Sequence, residues 1–166
     1  MKLNFFRNPD PSSGAAGATT GSSSNPQTDN TKLVTGPTVY VSPDGGTTDE
    51  PFPAPNVEYD FCIDVTNGSA LPSGPFYVRF SLDNATGAAP QTFDFKQDAG
   101  LDAGQSVKAV VHFGSFTNDD TDYTLAACIY SASAPEKPIN CAGTFGFNPH
   151  MNSVSDPAGS NTGSGN

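Results

Sequence analysis

Apolar and polar residues alternate without a break along residues 57–65, Val-Glu-Tyr-Asp-Phe-Cys-Ile-Asp-Val. A period of two is typical of a β-strand that has one buried face and one exposed face. Residues 67–74 contain Asn, Gly, Ser and Pro, which favour turns, and a second alternating run begins at Phe76. The pattern therefore predicts two consecutive strands joined by a turn.

The same alternation recurs along the chain and predicts an all-β fold. No segment keeps helical spacing over three turns. The predicted strands are seven and lie at residues 37–42, 56–66, 75–82, 91–96, 105–113, 122–131 and 141–147. Seven short strands separated by turns are typical of an immunoglobulin-like sandwich of two sheets. We therefore predict a seven-stranded immunoglobulin-like β-sandwich with flanking disordered tails.

The sixth predicted strand begins with the spacing of a tyrosine corner, formed by Asp119, Tyr123 and Leu125. In immunoglobulin-like domains, a tyrosine at this place hydrogen-bonds to backbone a few residues upstream. Leu125 stands where antibody domains have a cysteine, so their inter-sheet disulfide is absent. The alternative is that Tyr123 is simply an aromatic residue of the core.

Composition separates the predicted sandwich from the two ends of the chain. Residues 8–36 and 152–166 are rich in Ser, Gly, Thr, Asn and Pro and show no periodicity. Segments of this kind cannot bury enough apolar surface to become ordered. The predicted organisation is a flexible arm over residues 1–36, a sandwich over residues 37–150 and a flexible tail over residues 151–166.

Short motifs recur in a definite order between residues 57 and 147. Val-Thr-Asn-Gly at residues 65–68 is followed by Ala70 and by Ser-Gly-Pro-Phe-Tyr-Val at residues 73–78. Leu-Asp-Ala-Gly at residues 101–104 precedes the fifth predicted strand, and Tyr-Thr-Leu at residues 123–125 lies in the sixth. In these motifs the chain resembles the CARDB domains, bacterial immunoglobulin-like modules named for cell-adhesion-related proteins. The resemblance implies an immunoglobulin-like scaffold with a binding or spacing role.

The chain is strongly acidic, with 17 Asp and Glu residues against 7 Lys and Arg residues and a formal net charge of −10. Nucleic-acid binding depends on basic residues at phosphates, and anionic membrane surfaces also attract basic segments. The balance therefore argues against both partners. No run of about 18 apolar residues is present, so no membrane insertion is predicted. Acidity of this kind favours solubility, and the alternatives are a basic partner or a salt-adapted source.

Two of the three cysteines are placed to form a disulfide. Cys128 and Cys141 lie on consecutive predicted strands that are expected to be antiparallel neighbours. If they face each other in a regular ladder, Phe145 and Phe147 point to the outer face of the sheet. A one-residue slip or bulge would return both Phe residues to the core and offset the cysteines. The alternative to a disulfide is that the cysteines are reduced, unreactive thiols in a cytosolic protein. Cys62 lies at an outward position of the second predicted strand and is expected to be free.

Signatures of catalysis are missing from the sequence. It contains no His-Glu-x-x-His, no Gly-x-x-x-x-Gly-Lys and no Gly-x-Ser-x-Gly. His112 and His150 have no Ser or Cys partner in a base-and-nucleophile arrangement. Asp120 and Asp122 crowd one turn, but their spacing does not match a calcium-binding loop. We therefore predict that the protein is not an enzyme and that it has neither cofactor nor metal.

Aromatic residues on the later strands are candidates for a binding surface. These are Tyr77, Tyr130, Phe145 and Phe147, which would act as anchors for a protein partner. A carbohydrate ligand has no support, because no specific aromatic platform is evident. We therefore expect a non-enzymatic immunoglobulin-like binding or adhesion module that mediates protein–protein attachment.

The N-terminal residues 1–7 form a second candidate, a docking peptide at the end of the arm. Leu3, Phe5 and Phe6 would supply buried anchors, and Lys2 and Arg7 add positive charge. The alternative is a frayed terminus. This segment leads to a second functional hypothesis, a structural or accessory subunit, such as a decoration or spike-associated protein of a phage or secreted assembly. A third hypothesis is an acidic inhibitor of a basic partner.

The same terminus begins like a secretory signal and then departs from it. Residues 8–11, Asn-Pro-Asp-Pro, stand where such a signal needs an apolar stretch. We therefore expect a chain that is retained in the cytoplasm as made, or one that reaches a virion, cell surface or secreted assembly without a cleavable signal.

Overall fold

A computed structural model of the protein describes residues 27–118 and 120–150. Over these residues the secondary structure is all β, as the alternation predicts, and the strands are nine. They are β1 (Leu33–Thr35), β2 (Tyr40–Ser42), β3 (Glu58–Asn67), β4 (Phe76–Asn84), β5 (Gln91–Gln97), β6 (Ser106–Ser115), β7 (Tyr123–Ser131), β8 (Ala134–Cys141) and β9 (Phe145–Phe147).

The strands form two antiparallel sheets that pack as a sandwich. In the first sheet, β3 pairs with β6 on one edge and with both β1 and β2 on the other. The second sheet has the order β5-β4-β7-β8, and β9 also pairs with β7. The predicted number of seven is wrong, because β1 lies outside every predicted strand and β8 overlaps the last predicted strand only at Cys141. The additional strands extend existing edges: β1 shares one edge of β3 with β2, and β8 shares one edge of β7 with β9. The predicted β-sandwich is confirmed.

The folded domain begins earlier than the sequence predicts. Leu33 is only 1% exposed, and β1 pairs with residues 65–67 at the end of β3. The predicted boundary between arm and sandwich at residue 37 is therefore wrong, since a three-residue strand is too short to show a recognisable period. Val57 was expected to face inward but is 40% exposed, because β3 begins only at Glu58. Residues 1–26 and 151–166 lie outside the described residues.

Aromatic rings join the two sheets in the core. The ring centroids of Phe61 and Phe113 are 4.8 Å apart, and those of Phe113 and Phe116 are 4.6 Å apart. Phe116 also packs on Tyr123 and Phe147 of the opposite sheet. Burying each ring contributes about 1.5–3 kcal/mol relative to an exposed position. Tyr123 is thus a core aromatic, and the corner hydrogen bond stays a prediction because Asp119 lies outside the described residues.

The last edge of the second sheet contains a bulge that decides which residues face the core. Cys128 lies opposite Cys141, whereas Leu125 lies opposite Phe145, so the register shifts by one residue between the two pairs. The shift turns Phe145 and Phe147 inward while the cysteines still face each other. Phe147 is 9% exposed, so its prediction as a surface anchor is wrong. Phe145 packs against the core and is only half-buried, and it lies away from Tyr77 and Tyr130.

Candidate functional site

The outer face of the second sheet collects side chains that the core does not use. Strand register sets Lys96, Tyr77 and Tyr130 side by side in one row and Asp94, Arg79 and Cys128 in the next. Alternation along each strand turns all of these side chains away from the core. We call this surface the tyrosine face and define it by Tyr77, Arg79, Asp94, Lys96 and Tyr130.

Two stacked rings form the centre of the tyrosine face. Tyr77 and Tyr130 lie directly opposite each other on β4 and β7, with ring centroids 5.1 Å apart and planes 8° from parallel. The Arg79 Cζ atom lies 5.3 Å from the Tyr77 ring centroid and 5.7 Å from that of Tyr130. Cation–π contact and stacking therefore hold three large side chains in one half-buried group.

A bidentate ion pair fixes the guanidinium of Arg79. Its Nε donates to Asp94 Oδ1 at 2.9 Å, and its Nη2 donates to Asp94 Oδ2 at 2.8 Å. Hydrogen bonding to Asp94 raises the pKa of Arg79, and hydrogen bonding to Arg79 lowers the pKa of Asp94. Both side chains remain partly exposed, so solvent screens the pair and its main effect is to orient Arg79.

A disulfide between Cys128 and Cys141 lies beside Arg79 on the same face. The two Cα atoms are 4.1 Å apart, and the predicted pairing is present. The hydrogen-bonded ladder at this edge is weak, because Pro135 and Pro138 lack backbone N–H donors and the pairing of β7 with β8 is irregular. The disulfide therefore holds β8 against the tyrosine face.

A shallow groove of about 380 Å³ runs beside Tyr77. Arg79, Lys96 and Asp98 line it, so aromatic surface adjoins charges of both signs. Such a mixture suits a polar polypeptide surface better than a small apolar ligand, which needs an enclosed and mainly apolar pocket.

The outer face of the first sheet is closed by a loop. Cys62 is fully buried, because residues 43–50 fold back over β3. The Gly46 N–H donates to the Ser42 hydroxyl at 2.9 Å, and the Tyr40 hydroxyl donates to the Gly46 carbonyl at 3.2 Å. Burial is the main cause that raises the pKa of the Cys62 thiol to about 12. Cys62 is free, as predicted, but its expected exposure is wrong, and an un-ionised buried thiol is chemically inert.

His112 and the acids near the start of β7 make local polar contacts. His112 Nδ1 lies 3.1 Å from Asp60 Oδ1 on the outer face of the first sheet. Asn148 donates to Asp120 and Asp122, both at 3.0 Å. Within residues 27–118 and 120–150, no three His, Cys, Asp or Glu side chains come together as a metal ion would need.

Sequence reasoning placed Tyr77 and Tyr130 on a common surface, and the structure brings them into contact. It missed Arg79, Asp94 and Lys96, although alternation marks each as an outward residue. Their meeting depends on the pairing of β4 with β5, which no single strand pattern reveals. The predicted docking residues Leu3, Phe5, Phe6 and Arg7 lie outside the described residues.

Comparison with known proteins adds no identification, because no family model and no curated protein matches the chain. In the part of the chain that the structure describes, no helix has the length and apolarity to cross a lipid bilayer.

Proposed function

We propose that the protein is a non-enzymatic binding module that attaches to a protein partner through the tyrosine face. The observation that carries the proposal is the stacked Tyr77–Tyr130 pair with Arg79 beside it, on a sheet face that contributes nothing to the core. Tyrosine and arginine are enriched among residues that dominate binding energy. The sequence resemblance to CARDB domains points to the same class of function.

Preorganisation supports this role for the three side chains. The rings immobilise each other, and Asp94 holds the guanidinium of Arg79, so binding would cost little additional side-chain entropy. Tyrosine supplies large contact area with few rotatable bonds. The nearby charges of Asp94 and Lys96 would set specificity at the rim.

Site-specific cross-linking in cells of the native source tests the proposal. The photoreactive residue p-benzoylphenylalanine would replace Ser81, which neighbours Arg79 on the tyrosine face, or Val110 on the outer face of the first sheet. We expect a discrete cross-linked protein from position 81 and none from position 110. Adducts from position 110 alone would reject the tyrosine face as the attachment surface.

A paired substitution gives the energetic test with the partner so identified. Tyr77→Ala with Tyr130→Ala should weaken binding at least about tenfold, since central aromatic anchors each contribute 1–2 kcal/mol or more. Thr124→Ala, on the same strand as Tyr130 but near its other end, is the matched control and should leave affinity unchanged. Wild-type affinity in the double variant, with the fold intact by circular dichroism, would contradict the proposal.

A further inference from the structure

The edge of the first sheet is interrupted between β1 and β2. The Gly36 N–H donates to the Asp64 carbonyl at 2.7 Å, after which the chain leaves β3. Thr38 then forms a parallel bridge with Gly143, which lies between β8 and β9, and the chain returns to β3 at Tyr40. The excursion leaves a groove of about 390 Å³ at the side of the sandwich, which we call the edge groove.

The edge groove combines apolar walls with negative charge. Pro37, Pro51 and Phe145 supply apolar surface, while the lining also includes Asp49 and Asp64. Asp64 shares an exposed ion pair with Lys108 at 3.3 Å, and Asp49 is exposed to solvent. A groove of this kind suits an extended segment in which aromatic or aliphatic side chains alternate with basic ones.

One segment of this chain has that chemistry. Residues 1–7, Met-Lys-Leu-Asn-Phe-Phe-Arg, carry two basic residues, three large apolar residues besides Met1, and no acid. From residue 8 onward no seven-residue window contains two Lys or Arg residues, and the whole chain has a formal net charge of −10. The segment is therefore complementary in charge and in apolarity to the edge groove.

We infer that residues 1–7 dock in the edge groove of their own chain, with Phe5 and Phe6 against its apolar walls and Lys2 and Arg7 near Asp49 and Asp64. The intervening residues 8–26 number nineteen. A Gly- and Ser-rich linker of that length spans roughly 22–26 Å root-mean-square, which is comparable to the diameter of a domain of this size. Its effective concentration is then of millimolar order, which favours the same chain over a second copy.

Docking of this kind would store the peptide until a partner with higher affinity displaces it. The inference is independent of the tyrosine face, because the edge groove lies on the side of the sandwich where the two sheets meet. Failure of one proposal therefore leaves the other untouched.

Paramagnetic relaxation in the full-length protein tests the docking. A nitroxide attached through Asn4→Cys would broaden amide signals of residues near the docked peptide. Cys62 is buried, so the label is confined to position 4. We expect strong broadening at Thr38, Tyr40 and Asp49 and none at Ser81. Broadening that is absent, or spread evenly over the domain, would overturn the inference.

Charge exchange makes the test specific. Asp49→Lys should reduce the broadening at Thr38 and Tyr40 about fivefold, because it removes an attraction and adds a repulsion. Adding Lys2→Glu and Arg7→Glu to the Asp49→Lys variant should restore the broadening at Thr38 and Tyr40 at least in part. Asp83→Lys, the same charge change on the outer face of the second sheet, is the matched control and should have no effect. Equal broadening in the Asp49→Lys variant and the control would reject the proposed contact.

A mixing experiment distinguishes the same chain from a second copy. Isotope-labelled protein without nitroxide is mixed with unlabelled protein that carries it, at equal concentrations. We expect no broadening of the labelled copy, since docking within one chain leaves its groove occupied. Broadening of Thr38 and Tyr40 in this mixture would show docking between chains and overturn the inference.

Discussion

The outer faces of the two sheets differ in what covers them. On the first sheet, the loop of residues 43–50 folds over Cys62 and removes it from solvent, while acidic side chains remain exposed on that face. On the second sheet, Tyr77 and Tyr130 stand on an open face and are covered by nothing in the described residues. One face is thus used for stability and the other is available for contact, although both come from strands with the same alternating pattern.

The two faces are also held in different ways. The loop over Cys62 depends on close packing at Gly46, whereas β8, at the margin of the tyrosine face, depends on the covalent bond between Cys128 and Cys141. An open face cannot use a covering loop without losing its contact surface. The comparison therefore predicts that loss of the disulfide destabilises the edge of the second sheet, whereas crowding at Gly46 destabilises the loop over the first sheet.

The largest effect is expected from loss of the disulfide. Cys128→Ala with Cys141→Ala should lower the free energy of unfolding by about 3 kcal/mol, the chain-entropy value for a loop of this size. Urea denaturation under oxidising conditions measures the change. A reductant should destabilise the wild type by a similar amount and leave the double variant unaffected. An unchanged midpoint for reduced wild type would show that β8 does not depend on the bond.

Crowding at Gly46 should give the next largest effect. Gly46 has φ +87°, and an added Cβ would lie 2.6 Å from Lys108 Cδ and 3.2 Å from Cys62 Sγ. The flexible Lys108 side chain can move aside, whereas the buried Cys62 sulfur cannot. Gly46→Ala should therefore cost about 1.5–2 kcal/mol, from backbone strain together with crowding against Cys62. Thermal or urea unfolding measures the loss.

Gly45→Ala is the matched control for this substitution. Gly45 has a similar φ of +71°, but a Cβ there would meet nothing within 4 Å. Backbone strain alone should cost it about 1 kcal/mol. The difference between the two variants measures how tightly the loop is packed over Cys62, and equal costs would mean that the loop does not seal that face.

The buried thiol predicts a pH dependence that belongs to the first face alone. The folded state keeps Cys62 protonated up to a pKa of about 12, whereas the unfolded thiol titrates near 8.5. Above about pH 8.5 the unfolded chain therefore binds fewer protons than the folded one, so stability falls as pH rises. The loss should be about 1 kcal/mol between pH 8 and pH 9.5.

Cys62→Ala isolates this contribution, because other groups also titrate in the alkaline range. The stability difference between wild type and variant should be constant below about pH 8. Between pH 8 and pH 9.5 it should change by about 1 kcal/mol, because only the wild type loses stability through the thiol. Parallel curves, or rapid alkylation of Cys62 in the native protein at neutral pH, would show that the loop leaves the thiol accessible.

Much of the architecture was predictable from local pattern. Tyr59, Phe61, Ile63 and Val65 alternate along β3 and are all buried, because one face of that strand meets the opposite sheet. The turn after Asn67 was equally clear from its residue types. The burial pattern of a strand and the position of a turn depend on residues that are adjacent in sequence. They can therefore be predicted from one short segment alone.

Features that depend on pairing were not predictable in the same way. Cys62 was expected to be exposed, because the sequence does not show that a distant loop returns over it. The sequence offered facing cysteines with outward Phe residues, or inward Phe residues with offset cysteines. The observed register combines facing cysteines with an inward Phe147, because the bulge lies between the two pairs, and neither alternative included that. Arg79 and Asp94 likewise meet through strand pairing.

The smallest stability effect is expected for the ion pair of the tyrosine face. Asp94→Asn should cost about 0.5 kcal/mol near neutral pH, because both partners are partly exposed and solvent screens them. Hydrogen bonding to Arg79 lowers the pKa of Asp94 in the folded state. Its contribution is therefore present above the unfolded pKa of about 4 and disappears as the pH falls below it. Urea titrations at pH 7 and pH 3 measure this, with Asp83→Asn as the control.

The same variant sharpens the contrast between the two faces when binding is measured beside stability. If Asp94 serves mainly to orient Arg79, Asp94→Asn should weaken partner binding several-fold more than its small stability cost explains. Gly46→Ala should show the reverse, a large stability loss with unchanged affinity of the folded protein. An Asp94→Asn variant that binds like wild type would mean that Arg79 needs no fixed orientation, and the tyrosine pair alone would then define the contact surface.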